Sequence, residues 1–420
     1  MDPAILVVGL MFFVAHGLAL LFEKSAIPDI LVLMVIGIIA GPVAHLSSPA
    51  DFGSSGQVMS TIALVLILFE GGMTLRLDSL RSTVMRSLPL FAATFGGTIT
   101  VGCLAGLFLM GLPLLESITF GCILGSISPA VVLPMAKGFG MEQDAQDVLV
   151  IETSLTDVFS IILVFSLIGW KEQGSLEIGK MFGSILSALV FAFFIGFSGS
   201  FLWLKIIGFV RRFPNTMLST LAFLFVIYGV SEFLGFSGAI AALAFGFGIS
   251  NKPFGAFERL GLKVQAPEAT LSEGEKNFFN EVIFILKTFF FLYLGISMRF
   301  SDWAGPAMGA AIALLVIAIR VGFSLIIPSR GIKLPDRELI AVMAPKGLAS
   351  AVLAGLPIQA GMAGASRMQE YCYDVVLFSI LFSAILSFLL KRRIISPFLD
   401  RLFGANRGDV NGEADPKANI

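Results

Sequence analysis

Cysteine and histidine are almost missing from this chain, with three and two copies in 420 residues. Cys103, Cys122 and Cys372 lie in or beside apolar segments at unrelated spacings. They read as buried thiols, and neither a disulfide framework nor a metal cluster can be drawn from them. His16 sits within an apolar run and reads as a packed helix residue, while His45 reads as interfacial. Charge is scarce as well, at 14% Asp, Glu, Lys and Arg against about a quarter in soluble proteins. A net charge of −1, with no basic patch beside interleaved aromatics, excludes nucleic acid as a partner. There is no nucleotide-binding loop, no thiol motif and no extended soluble stretch. Tyr373-Asp374 superficially matches one half of an intramembrane aspartyl protease, but the partnering Gly-x-Gly-Asp is absent. No Ser/His pair replaces it, so the chain is not read as an enzyme and no cofactor is expected.

What is abundant is apolar sequence. Hydrophobic residues make up 56% of the chain, with a mean hydropathy of +0.92. This predicts an all-α polytopic membrane protein whose main partner is the lipid bilayer, because helices satisfy their own backbone groups in hydrocarbon. About thirteen spans are expected, near 3–22, 27–46, 57–75, 87–111, 115–137, 148–169, 178–210, 215–234, 236–250, 278–298, 304–328, 336–361 and 368–390. The eighth and ninth meet at Gly235 and can also be read as one broken hairpin. The N-terminal run lacks a positive n-region and reads as a first span, not a cleaved signal. Alternating the loops puts 21 of the 28 basic residues on one side and four on the other, leaving Lys287, Arg320 and Lys346 at membrane depth. The positive-inside rule then places the N-terminus outside and the C-terminus in the cytoplasm.

The sixth span, VLVIETSLTDVFSIILVFSLIG over 148–169, carries Glu152, Thr153, Thr156 and Asp157 inside an apolar run. A carboxylate at that depth costs at least ~2.5–3.5 kcal/mol and needs a partner, a proton or an ion. At helical spacing Glu152 and Thr156 share one row, Thr153 and Asp157 the adjacent one. The face offers hard oxygen only, which suits a proton or a hard cation. The competing reading is that these acids lock the bundle by pairing with basic residues, and for Glu152 the two readings stand level. In the third span Glu70 lies in LILFEGG; it lines a cytoplasmic vestibule or caps packing near the interface. GIIAGP is expected to terminate the second span at Gly41-Pro42. The glycines of the fourth span, Gly96, Gly97, Gly102 and Gly106, suggest tight helix packing.

Pro129 in the fifth span and Pro345-Lys346-Gly347 in the twelfth should break those helices. Spans one to six and eight to thirteen then form two six-helix repeats of inverted topology, with each break fifth in its half. Interrupted helices at matching places of inverted halves mark a midplane transport site. The broken ends present opposing dipole charges, which Ser128 and Lys346 are placed to neutralise. Glu152 is expected to pair with Lys346 or Arg320. Ser272 and Glu275 have capping-box spacing ahead of the tenth span.

Taken in order, GxxxGP in the second span, FEGG in the third, the broken fifth, the acidic sixth, SEFLGFSGAIAALAFGF near 231–247 and Lys346-Gly347 resemble the monovalent cation:proton antiporters of the NhaP/NHE-like branch. The resemblance covers roughly residues 5–390. It departs at Ile127-Ser128-Pro129, where the family has Thr-Asp-Pro, and at Thr156, where the family has Asn. It implies Asp157 as the residue that holds an alkali cation or a proton, Thr153 as a binding hydroxyl, Glu152 as a structural acid and Lys346 as its favoured partner. The family also implies elevator-type exchange of Na+ or K+, and of Li+ as a further candidate, for H+. By that analogy residues 1–86 and 170–303, with a cytoplasmic loop at 251–277, form a homodimeric scaffold. Residues 87–169 and 304–391 form a moving core, and 392–420 a cytoplasmic tail. With Glu152 paired and one titrating acid left, exchange is expected to be electroneutral. A bacterial inner membrane is the expected location. A sodium-coupled organic solute symporter of related crossed-helix fold is the alternative function; an ion channel would need a filter-like loop that the sequence does not show.

Overall fold

The computed structural model describes residues 13, 17, 29–74, 77–173, 178–213, 218–251, 272–299, 304–326, 332–397 and 399. The expected first span (3–22) therefore lies almost wholly outside the described residues. So do most of the 251–277 loop and the tail beyond residue 399. Among the described residues the secondary structure is entirely helical. The helices are α1 (Asp29–Ile38), α2 (Gly53–Thr74), α3 (Leu77–Phe108), α4 (Leu114–Gly125), α5 (Pro129–Gly138), α6 (Gln143–Gln173), α7 (Ile178–Val210) and α8 (Ser219–Phe233). They continue as α9 (Gly238–Asn251), α10 (Glu273–Ser297), α11 (Ala304–Ile326), α12 (Leu334–Val342), α13 (Leu348–Leu353), α14 (Leu356–Gln359) and α15 (Ala365–Lys391). Among the described residues seven helical stretches are long and apolar enough to cross a membrane, one of them the stretch Leu114–Gly138 that contains the first break. The chain is a multi-pass integral membrane protein.

Two local details follow from backbone chemistry. The second span ends at Val43, one residue beyond the expected Gly41-Pro42, and it does so through a π turn. The helix widens into a π turn over Ile39–Val43 with Pro42 inside it, and Ala44 donates five residues back to the Ile39 carbonyl at 2.8 Å. Proline has no N–H to give, and the wider turn bypasses the missing bond. The capping box ahead of α10 forms as its spacing predicts, with the Ser272 hydroxyl accepting from the Glu275 N–H.

The helices sort by packing into two groups. α3, α4, α6, α11 and α15 pack on one another; α9 is wedged between α2 and α7, and α10 lies along α1 and α2. α9 is apolar on every side because protein surrounds it. Its backbone approaches α2 so closely that a Cβ on Gly246 would lie 2.1 Å from the Phe69 carbonyl. In α3, Gly102 and Gly106 touch α4, Gly97 faces Ile319 and Phe323 of α11, and Gly96 faces open space.

Candidate functional site

Both proline-containing spans are broken. α4 stops at Gly125, Ser126 turns extended, and α5 starts at Pro129. α12 stops at Val342 and α13 starts at Leu348, with Met343 in extended backbone and Gly347 at φ −154°, ψ −143°. The two extended segments cross and bond each other, Ser128 N–H donating to the Pro345 carbonyl at 2.8 Å. A Cβ on Gly347 would lie 2.2 Å from Ser128 Oγ, so the crossing requires glycine there.

Breaking a helix in an apolar interior strands backbone N–H groups, and each must find an acceptor. The helix that follows each break supplies hydroxyls. For the first break, Ile127 N–H donates to Thr156 Oγ1 at 3.1 Å, and Ser126 Oγ donates to Asp157 Oδ1 at 2.5 Å. For the second, Ala344 and Lys346 N–H donate to Ser383 Oγ at 3.2 Å and Ser379 Oγ at 2.8 Å. Ser126, Ser379 and Ser383 were not singled out as site residues from sequence. The signal for Ser379 and Ser383 is positional, serines on the long helix that follows a proline break, whereas Ser126 lies in the break itself.

Asp157 is 3% exposed, and Thr153 and Thr156 are fully buried. The Thr153 hydroxyl donates to the Val150 carbonyl at 3.0 Å, which leaves its lone pairs available. Thr156 donates to the Thr153 carbonyl at 2.8 Å and is committed to holding the break. Among the described residues no group of three His, Cys, Asp or Glu side chains gathers in metal-binding fashion. One carboxylate amid hydroxyls and freed helix-end carbonyls is a set of hard oxygens of low charge, which suits a monovalent cation or a proton.

Glu152 pairs with Arg320, and this corrects the favoured expectation of Lys346. The guanidinium grips both carboxylate oxygens at 2.5 and 2.8 Å, and its Nε donates to the Ile340 carbonyl at 2.8 Å. Ile340 sits in the last turn of α12, where the helix has lost its next donors. A planar fork satisfies the carboxylate and the helix end together, which a lysine ammonium cannot do. Thr94 Oγ1 adds a bond to Glu152 at 3.2 Å. Lys346 is fully buried within electrostatic reach of Glu152, Asp157 and Arg320, yet no acceptor among the described residues bonds its Nζ. The side-chain hydrogen bonds at the broken ends come from residues other than Ser128 and Lys346, which were expected to neutralise the charge there. Ser128 makes no side-chain cap bond, and the hydroxyls of α6 and α15 together with Arg320 supply those bonds.

Glu70 forms an ion pair with Lys287 at 3.1 Å. The pair borders a cavity of about 200 Å³ that also touches Thr288 of α10 and Ala130 and Pro134 of α5. Glu70 thus lines a cavity and is tied to the neighbouring α10.

Residues 9–392 match the family model described as sodium/hydrogen exchanger, transmembrane. The chain belongs to that family. It is 27% identical over 372 residues to the K(+)/H(+) antiporter NhaP2 of Shewanella sp. strain ANA-3, covering 86% of this chain and 61% of that protein. It is 23% identical over 387 residues to the K(+)/H(+) antiporter NhaP of Alkalimonas amylolytica, covering 90% and 64%. To human sodium/hydrogen exchanger 9B1 it is 24% identical over 369 residues, covering 81% and 65%. The chain thus spans a little under two thirds of the length of these relatives. Its fold is similar to that of the sodium proton antiporter MjNhaP1 from Methanocaldococcus jannaschii, with a TM-score of 0.71 at 20% identity over 92% of this chain and 99% of the other. These relatives are named as antiporters and exchangers.

Proposed function

We propose that this protein is a secondary antiporter exchanging a monovalent cation, Na+ or K+ with Li+ as a further candidate, for H+ at Asp157. The observation that carries the reading is the buried Asp157 carboxylate at the crossing of two broken helices, held by one serine hydroxyl and by no ion pair among the described residues. Proton and cation compete for that carboxylate, and the competition produces exchange when the empty site does not cross. The family and the names of its members support the same reading.

The finer parts of the proposal rest on arrangement. The matching breaks, each stitched by the helix after it, support two inverted six-helix repeats within about thirteen spans. The packing of α3, α4, α6, α11 and α15 on one another supports a core (87–169 and 304–391) moving past a scaffold (1–86 and 170–303), with elevator-type alternating access. The bias of basic residues supports a cytoplasmic C-terminus and an outside N-terminus in a bacterial inner membrane. A homodimer through the scaffold is proposed by resemblance. Asp157, Glu152, Arg320 and Lys346 sum to zero charge when all are ionised. Adding either a proton or a monovalent cation at Asp157 gives the same total, so exchange is one for one and electroneutral. Purified protein in liposomes containing a pH dye tests the function, with Na+, K+ and Li+ added separately. Dye response to at least one of them supports antiport, and uptake that needs an organic solute would support the symporter instead.

A further inference from the structure

Helix α6 carries five hydroxyl residues between Val150 and Ser166, and four of them bond backward to their own helix. Thr153 and Ser154 donate to the Val150 carbonyl, Thr156 to Thr153 and Ser166 to Ile162. Back-bonding is the ordinary fate of serine and threonine in an apolar helix. Ser160 is the exception: its residue is fully buried, and its Oγ has no hydrogen-bond partner among the described residues. Leaving such a group unsatisfied costs stability, so its orientation calls for a reason.

Position supplies one. Ser160 lies three residues after Asp157, on the same face of α6. Its Oγ is 3.0 Å from where a Cβ on Gly125 would sit, and the Phe95 ring crowds the same point at 2.5 Å. Gly125 is the last residue of α4, and its neighbour Ser126 is the one that bonds Asp157. The terminal carbonyls of α4 lack helical donors at this break and carry the negative end of its dipole. Carboxylate, serine hydroxyls and dipole end therefore meet at one break.

We infer that Ser160 is a further ligand of the transported cation, its hydroxyl oxygen completing the coordination begun by Asp157. This rests on the proposed role of Asp157. A bare alkali cation must recover in the protein the oxygen contacts it loses from water, and each hydroxyl added raises affinity and sharpens the choice of ion by size.

Ser160→Ala separates this role from a structural one. Removing a hydroxyl that bonds nothing should leave the cation-free melting temperature unchanged, and alanine is the better helix former. The KM for the cation should rise about tenfold, equivalent to about 1.4 kcal/mol, with kcat little affected. The rise in melting temperature that saturating cation gives the wild type should shrink. Ser160→Cys, which keeps the volume but replaces hard oxygen by soft sulfur, should behave like Ser160→Ala. Wild-type KM values for Na+, K+ and Li+ in both variants would overturn the inference. So would a lowered cation-free melting temperature with unchanged KM, which would make Ser160 a packing residue. Asp157→Asn run in parallel keeps the two claims apart: if it is inactive while the Ser160 variants match wild type, only the Ser160 inference falls.

Discussion

At the residue scale the site depends on giving each buried charge a different fate. Glu152 is locked by a bidentate guanidinium and a threonine hydroxyl, at 1% exposure for the acid and 2% for Arg320. Asp157, five residues on, has a hydroxyl and, among the described residues, no ion pair. Removing one member of a buried pair leaves the other uncompensated and typically costs ~3–5 kcal/mol. Arg320→Ala should therefore lower the melting temperature in detergent far more than Lys346→Met, because Lys346 Nζ has no hydrogen bond among the described residues to lose. Equal losses would mean that Lys346 shares the load. The two acids stood out in the sequence because each interrupts an apolar run. The identity of Glu152's partner did not, since Arg320 and Lys346 are both isolated cations in apolar helices and only the path of α12 brings the Ile340 carbonyl beside the guanidinium.

At the scale of elements the two broken helices are the working parts. Their prolines announced them, because a missing N–H and a clash with the preceding turn act wherever proline falls in a helix. The stitching was less legible. Serine in a membrane helix usually bonds its own backbone, so residue type alone does not mark Ser379 and Ser383 as partners of a crossing segment. The π turn around Pro42 escaped notice for a similar reason: Gly-Pro more often ends a helix than widens it. The crossing itself is tightly packed. Gly347→Ala would force a methyl to within 2.2 Å of Ser128 Oγ and 2.4 Å of its Cβ, and overpacking of this kind typically costs ~1–3 kcal/mol. The variant should melt lower and exchange ions poorly, and Ser128→Gly in the same chain should restore part of both. No rescue by the second substitution would place the defect elsewhere than at this contact.

At the scale of the whole molecule, charge accounting predicts how transport responds to voltage. A core that carries the same total charge with a proton as with a cation moves no net charge per cycle. Imposing a potential with valinomycin across proteoliposomes at fixed Na+ and H+ gradients should shift neither the rate nor the endpoint of exchange. A shifted endpoint would mean that a second group, with Lys346 the first candidate, also gives up a proton when the cation binds. The helical membrane architecture was legible from composition and hydropathy. The sorting of helices into two packing groups was available beforehand only through the family resemblance, because it depends on contacts between segments far apart in the chain.

The most direct measurement of the central claim is cation-driven proton movement by Asp157→Asn. Asparagine keeps the shape of the side chain and can accept from Ser126, but it cannot trade a proton for a cation. In liposomes containing a pH dye the wild type should release protons when Na+ or K+ is added. The Asp157→Asn protein, monodisperse and with a normal melting temperature, should give no signal above empty liposomes. Exchange by that folded variant at a rate near wild type would contradict the account, because the exchanging group would then lie elsewhere.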